Sequence, residues 1–290
     1  MSEPISLTII VPAYNEEGAI EDTVKELHPI AQEAEAVLMV VNDGSKDGTA
    51  EVLSRLVRDY PRLKVLHHDY NQGYGAALKT GLQAAKTDLI AITDADGTYP
   101  NDRLLELARL CHDKDMVVGA RTGAGVVYSK IRAIPKVFLT RWVSWIAGRR
   151  VPDINSGLRV FKADTARRFL GIYPDGFSFT ITITLAMLTT RRQVQYVPIS
   201  YSPRVGQSKI QPIRDTLRFL KIIMRTGTYF APIRAFMPMV FILFLAGLIS
   251  LAYDIYIGDL TEKTLLLFLF SFNTGMFTLL ADMIDKRSQS

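Results

Sequence analysis

Apolar and polar positions alternate in blocks along the first 120 residues. Residues 5–13, ISLTIIVPA, form a short β-branched run that reads as a buried strand. The next stretch, NEEGAIEDTVKELHPIAQEA, has helical spacing, with Ile20, Val24 and Leu27 on one face. The alternation then repeats. AVLMVVNDGS is a strand ending in turn residues, DGTAEVLSRLVRDYP a helix stopped near Pro61, and LKVLHH a third strand. GYGAALKTGLQAAKT is a helix and DLIAIT a fourth strand; NDRLLELARLCHDK is a helix and DMVVGAR a fifth strand. Strands alternating with helices predict an α/β fold with a mostly parallel, doubly wound sheet. In such sheets ligands gather at the carboxyl ends of the strands.

From about Val126 the pattern changes. YSKIRAIPKVFLTRWVSWIAGRR mixes basic residues with Ile131, Ile134, Val137, Phe138, Trp142 and Trp145. In PIRDTLRFLKIIMRTG the basic residues Arg214, Arg218, Lys221 and Arg225 fall on one helical face. A solvated basic face over a packed core would give this pattern, and so would a helix lying at a membrane surface. The next residues favour the membrane. Ala235–Tyr253 and Thr264–Ala281 carry no charge, and each approaches the roughly 20 residues that cross a hydrocarbon core. A net acidic link, DIYIGDLTEK, separates them; basic residues precede the first run and Lys286 and Arg287 follow the second. The positive-inside rule then puts both termini in the cytoplasm. The expected layout is a catalytic unit over residues 1–210, with an interfacial stretch near 128–150. A juxtamembrane amphipathic helix over 211–234 and a transmembrane hairpin over 235–290 follow.

Composition adds little. The net charge of +5 suits anionic partners. Its basic residues are interleaved with a membrane-like apolar face, which argues against nucleic acid. The single cysteine, Cys111, excludes an intrachain disulfide and reads as a small buried residue. The first residues carry no basic stretch and the first apolar run stops at Pro12, so no signal peptide is expected.

The candidate chemistry sits at the strand ends. Asp94 and Asp96 close the fourth strand, where side chains at i and i+2 point the same way. Two carboxylates held together repel, and a hard divalent cation such as magnesium or manganese resolves that while sharing phosphate oxygens. Pro12, Tyr14, Asn15 and Glu16 follow the first strand, and Asn42, Asp43 and Gly44 the second. An aromatic ring for stacking and an acid for a base N–H or ribose hydroxyl suit a nucleotide. Glu16 also suits a helix first turn, and NDGSKDGT suits a turn and cap with no ligand. His67 and His68 end the third strand with no assigned role.

Seven stretches occur in order: IIVPAYNEE, VVNDGSKDGT, NQGYGAALKTG, ITDADGTYP, GAR, NSGLRVFK and PRVGQSKI. Over residues 5 to about 225 the chain resembles the family 2 glycosyltransferases with a GT-A fold. More narrowly it resembles the polyprenyl-phosphate group that includes dolichyl-phosphate mannose synthase. The resemblance implies transfer of a sugar from a UDP- or GDP-sugar to a dolichyl or undecaprenyl phosphate, with inversion and a divalent metal. It implies that Pro12, Tyr14, Glu16, Val41 and Asp43 hold the nucleoside, and that Asp94, Ala95 and Asp96 hold the diphosphate and metal. Arg204 and Lys209 would close over the diphosphate, and Arg121, Arg132 and Lys136 would receive the lipid phosphate. Assembly through the membrane helices is a further implication. The group commonly has a glutamine metal ligand where this chain has Thr98, and a serine where it has Lys136. A lipid monophosphate is already ionised near neutral pH. No general base is then required, and no Asp, Glu or His of the acceptor region stands out as one. Two other readings remain. A processive synthase would carry a Q-x-x-R-W motif, whereas FLTRW has Phe138 in the glutamine position. A non-catalytic nucleotide-binding anchor would not need the acidic pair.

Overall fold

A computed structural model of the 290-residue chain describes residues 6–122, 140–176, 178–201, 221 and 223–289. Its elements follow the apolar blocks. Strand β1 (Leu7–Ala13) is buried along its whole length, as a strand covered on both faces must be. It leads to α1 (Ile20–Glu33), which turns Ile20, Val24, Leu27 and Ala31 to the core. Then come β2 (Val37–Asn42), α2 (Thr49–Asp59), β3 (Leu63–His67) and α3 (Tyr74–Ala84). They are followed by β4 (Leu89–Ile92), α4 (Leu104–Leu110) and β5 (Met116–Ala120). All five strands expected from the sequence are present.

Two more strands complete the sheet. These are β6 (Arg159–Lys162), which runs into the short helix α5 (Ala163–Arg167), and β7 (Val194–Pro198). Between them lies α6 (Phe179–Thr189), an apolar helix buried nearly all round. The order across the sheet is β3-β2-β1-β4-β6-β5-β7. Every neighbouring pair is parallel except those of β6, which runs antiparallel to both β4 and β5.

This topology positions the site. The chain winds outward from β1 to β3 and returns to place β4 on the other side of β1, so the β1/β4 boundary is a switch point open to ligands. The carboxyl ends of β1, β2, β4 and β5 share one edge. Because β6 is reversed, the segment preceding it, residues 153–158, arrives at that same edge, with Arg159 opposite Ile92. One apolar layer packs α1, α2 and α4 against the sheet, and the other packs α3, α5 and α6. Cys111 lies in the first layer, where burial pushes its thiol up to about 12.

The chain ends in a helical hairpin, α7 (Pro232–Ile257) and α8 (Glu262–Gln289). Gly258, with a φ of +76°, closes α7 in the left-handed conformation that helix ends favour. The acidic link is shorter than the charge pattern suggests, because Asp254–Ile257 continue the helix. Asp254 faces inward and clasps the turn, accepting from the Thr261 amide at 2.9 Å and the Thr264 hydroxyl at 2.5 Å. Both helices are long and apolar enough to cross a membrane, and only 17% of each apolar window is buried. Phe241, Ile242, Phe277 and Ile284 face outward, the reverse of a hairpin filling the core of a water-soluble protein.

Candidate active site

The loops after β1 and β2 are tied into one wall. The Asn15 amide donates to Ser45 Oγ at 3.0 Å and the Lys46 amide to Asn15 Oδ1 at 2.8 Å. The Glu16 amide donates to Thr49 Oγ1 at 2.9 Å, and Glu17 Oε2 accepts from the Gly48 amide at 3.1 Å. Pro12 and Val41 pair directly across β1 and β2 and are buried there. Tyr14 stands out of the wall at 40% exposure, so its ring is available for stacking. Glu16 is half-buried beside it.

Asp43 is only 2% exposed, and its carboxylate is engaged by the segment after β3. Oδ1 accepts from the Gln72 amide at 2.9 Å and Oδ2 from the Gly73 amide at 2.8 Å. His68 Nδ1 lies 2.7 Å from Oδ1, and its Nε2 lies 2.9 Å from Thr80 Oγ1. His68, to which the sequence assigns no role, thus braces Asp43 against α3. Gly44 is required at the next position: its φ is +65°, and a Cβ there would fall 2.3 Å from the Tyr70 carbonyl carbon.

Asp94 and Asp96 lie just beyond β4, which ends at Ile92. Residues 95 and 96 form a turn, so the strand alternation expected for the pair does not extend to them, and both aspartates are half-buried. Tyr74 donates its hydroxyl to Asp94 Oδ1 at 3.0 Å. Burial and the Asp94 charge push the Tyr74 and Tyr99 hydroxyls well up, so both stay protonated and keep their hydrogen-bonding roles. Ala95 is buried, and its carbonyl accepts from Thr23 Oγ1 at 2.9 Å. The Thr98 hydroxyl, expected as a metal ligand, donates to Asp96 Oδ1 at 2.7 Å, and the Thr98 amide reaches the same oxygen at 3.2 Å. In this geometry Thr98 aims Asp96.

The opposite wall is the 153–157 segment, of which the sequence reading noted only the NSGLRVFK motif from Asn155 onward, without a role. Asp153 holds Arg121 in a two-pronged pair: Arg121 Nε donates to Oδ2 at 2.8 Å and Nη2 to Oδ1 at 2.9 Å, while the Arg121 amide adds a bond of 3.0 Å. The pair is secluded, with 15% and 3% side-chain exposure, and the Arg121 guanidinium lies 5.3 Å from the centre of the Tyr201 ring. Burial would raise the Asp153 carboxyl, but the hydrogen bonds and charge of Arg121 outweigh it and hold the group below its ordinary value. Asp153 is therefore a carboxylate beside Arg121, but a weak base. Gly157 completes the wall. Its amide donates to Tyr99 Oη at 2.7 Å, and its Cα packs against the Asp94 carboxylate. A Cβ at Gly157 would lie 2.8 Å from Asp94 Oδ2. Gly157→Ala should therefore displace Asp94 and lower turnover about 100-fold, with thermal stability nearly unchanged. Steady-state rates beside a melting curve check this, and wild-type turnover would mean that Asp94 tolerates the intrusion.

Of the sequence-predicted residues, Pro12, Tyr14, Glu16, Val41, Asp43, Asp94, Ala95, Asp96, Thr98 and Arg121 converge on this edge. Arg132, Lys136, Arg204 and Lys209 lie outside the described residues. Tyr74, Tyr99, Asp153 and Gly157 belong to the site without having been predicted. Tyr74, Tyr99 and Gly157 were visible only as members of motifs. Among the described residues no group of three His, Cys, Asp or Glu side chains could hold a metal ion. The acidic pair nevertheless suits a hard cation, because magnesium is commonly held by one or two carboxylates, with phosphate oxygens and water completing its shell.

Comparison with known proteins agrees with the fold and the terminal hairpin. Residues 8–163 match the domain described as glycosyl transferase family 2, and residues 231–286 match the GtrB C-terminal hairpin. A dolichyl-phosphate beta-glucosyltransferase of Trichomonas vaginalis is 28% identical over 77% of this chain and 71% of its own. An undecaprenyl-phosphate mannosyltransferase of Micrococcus luteus is 27% identical over 69% of this chain and 86% of its own. A dolichyl-phosphate hexose transferase of Haloferax volcanii is 27% identical over 76% and 92%. Among solved structures, glucosyl-3-phosphoglycerate synthase of Mycobacterium tuberculosis, in complex with Mn2+, uridine diphosphate and glucosyl-3-phosphoglycerate, shares the fold. Its TM-score is 0.58 at 16% identity, over 77% of this chain and 80% of that one.

Proposed function

Since the chain belongs to glycosyl transferase family 2, we propose that it moves one sugar from a nucleotide-diphosphate sugar to a polyprenyl phosphate in the membrane. One observation carries the reading: a single sheet edge joins an acidic pair, Asp94 and Asp96, to a secluded arginine, Arg121, in a chain that ends in two outward-facing apolar helices. The named relatives act on dolichyl or undecaprenyl phosphate, which supports the same acceptor class here.

Tyr14, Glu16 and the Asp43 wall would receive the nucleoside, with UDP or GDP as donor. Asp94 and Asp96 would hold a divalent ion, magnesium or manganese, which when bound supplies positive charge to the departing diphosphate. Tyr74 and Thr98 aim the two carboxylates. Arg121, joined by Arg132 and Lys136, would hold the acceptor phosphate, and Arg204 and Lys209 would close over the donor. The acceptor phosphate is already ionised, so catalysis rests on positioning and charge. Asp153 need not take a proton and, held by Arg121, is poorly suited to do so. A phosphate oxygen attacks the anomeric carbon opposite the diphosphate; that bond forms as the carbon–diphosphate bond breaks, and the centre inverts.

The layout follows the acceptor. A catalytic unit over residues 1–210 faces the cytoplasm, the stretches near 128–150 and 211–234 lie at the interface, and the hairpin over 235–290 spans the bilayer with both termini inside. Copies would associate through the hairpins. The test is direct. Full-length protein in detergent receives polyprenyl phosphate, manganese and a panel of UDP- and GDP-sugars, and the lipid product is weighed by mass spectrometry. A gain of one sugar residue supports the reading. Long sugar chains would indicate a processive synthase, and donor binding without consumption a non-catalytic anchor.

A further inference from the structure

Arg159 opens β6 with its side chain fully buried, at 0% exposure. Among the described residues no carboxylate lies within ion-pair distance of it. Its hydrogen-bond partners are neutral. Nε donates to the Ser156 carbonyl at 3.0 Å, and Nη2 donates to the same oxygen. Nη1 donates to the Thr180 carbonyl at 3.1 Å and to Thr184 Oγ1 at 3.0 Å, with Met116 Sδ at 3.9 Å. Burying a cation without a counter-ion is costly, and an apolar side chain of similar size would fill the space at no such cost. Stability alone is a poor account of an arginine here. What only an arginine provides is a planar fork that ties the Ser156 carbonyl to the side of α6.

The tied segment joins the two halves of the site. Asp153 grips Arg121, Asn155 Oδ1 accepts from Thr180 Oγ1 at 2.8 Å, and Ser156 Oγ donates to the Gly119 carbonyl at 2.5 Å. Gly157 backs Asp94. We propose that Arg159 is a positioning residue, a buried clamp that fixes the 153–157 segment and so holds the acceptor arginine in a set relation to the donor carboxylates. The kinetic part of this proposal rests on the transfer reaction proposed above.

Arg159→Lys keeps the charge and loses the fork. Amide hydrogen exchange should accelerate about tenfold or more at Gly157 and Arg121, while Gln72 and Gly73, anchored on Asp43, keep their protection. Turnover should fall about tenfold to 100-fold, and the KM for polyprenyl phosphate should rise. Nucleotide affinity should stay within about twofold, since the nucleoside wall is built from other loops. Unchanged exchange at Gly157 and Arg121 would overturn the clamp, and so would uniform acceleration across the domain, which would mark a general core residue. If Arg159→Lys fails to fold, Thr184→Val removes a single acceptor and should give a smaller acceleration at the same two amides; its absence would overturn the proposal. Exchange needs no substrate. A wild-type protein that forms no glycolipid would defeat the transfer reading and still leave the clamp to be judged.

Discussion

Asp94→Ala will lower sugar transfer by about a thousandfold and cost only about 1 kcal/mol of stability, from the lost Tyr74 bond. The carboxylate emerges where β4 ends, its Oδ1 accepts from Tyr74, and it packs against Gly157. Of the described residues in the apolar layers, only Tyr74 loses a bond when it is removed. Asp94 is held by Tyr74 and Asp96 by Thr98. Removing Asp94 takes away half of the group that would meet the diphosphate. Initial rates and a thermal melt on the same sample separate the two effects. A large fall in melting temperature would make Asp94 a structural residue, and retained turnover would remove it from the chemistry.

Arg121→Met should be damaging in a different way. It strands Asp153, which is 3% exposed and has Arg121 on both of its oxygens. Breaking a buried pair from one side costs about 3–5 kcal/mol, so stability and acceptor binding fall together. The loss should depend on pH. In the wild type the native state holds the Asp153 carboxyl below its ordinary value of 3.8, so the pair's contribution is full above that value. It drains away as acid takes the pH down through the lowered native value. In the variant the guanidinium is gone and only the amides of residues 121 and 155 still oppose burial, so the carboxyl rises relative to the wild type and the folded variant gains relative stability as that group is protonated. The gap in melting temperature between the two proteins should be widest at neutral pH and narrow toward pH ~4. A gap that does not change with pH would mean that Asp153 is not the group left exposed to the penalty. Adding Asp153→Asn to Arg121→Met should restore part of the stability but none of the transfer.

The sequence makes some parts of this architecture easy to read and others hard, for physical reasons. β1, β2, β4 and β5 are apolar runs buried on both faces and punctuated by turn residues, so apolar periodicity alone finds them, while β3 is a partly exposed edge strand marked by its flanking turn residues. The hairpin is equally plain, since its helices are free of charge for most of their length. β6 carries two basic residues in four, β7 is only partly buried, and α6 carries apolar residues all round, leaving no periodic contrast between faces. The reversal of β6 matters most for the site. It brings Asp153 and Gly157 to the edge from a distant part of the chain, and no local pattern announces an antiparallel strand inserted among parallel ones. Asp94 and Asp96 could be picked out because two aspartates close together after an apolar run stand out in the sequence, although they lie past the strand in a turn. Asp153 was not, because its importance comes from Arg121, 32 residues earlier in the sequence. His68 was likewise opaque, since its value lies in bracing Asp43 against Thr80.

The central claim is that the acidic pair serves a donor whose sugar departs only to an anionic lipid. The most direct measurement counts nucleoside diphosphate released against glycolipid formed, with the full-length protein in lipid vesicles, with and without polyprenyl phosphate. The account predicts negligible release without the acceptor and one nucleoside diphosphate per glycolipid with it. Steady release in its absence, or many sugars for each lipid, would contradict it.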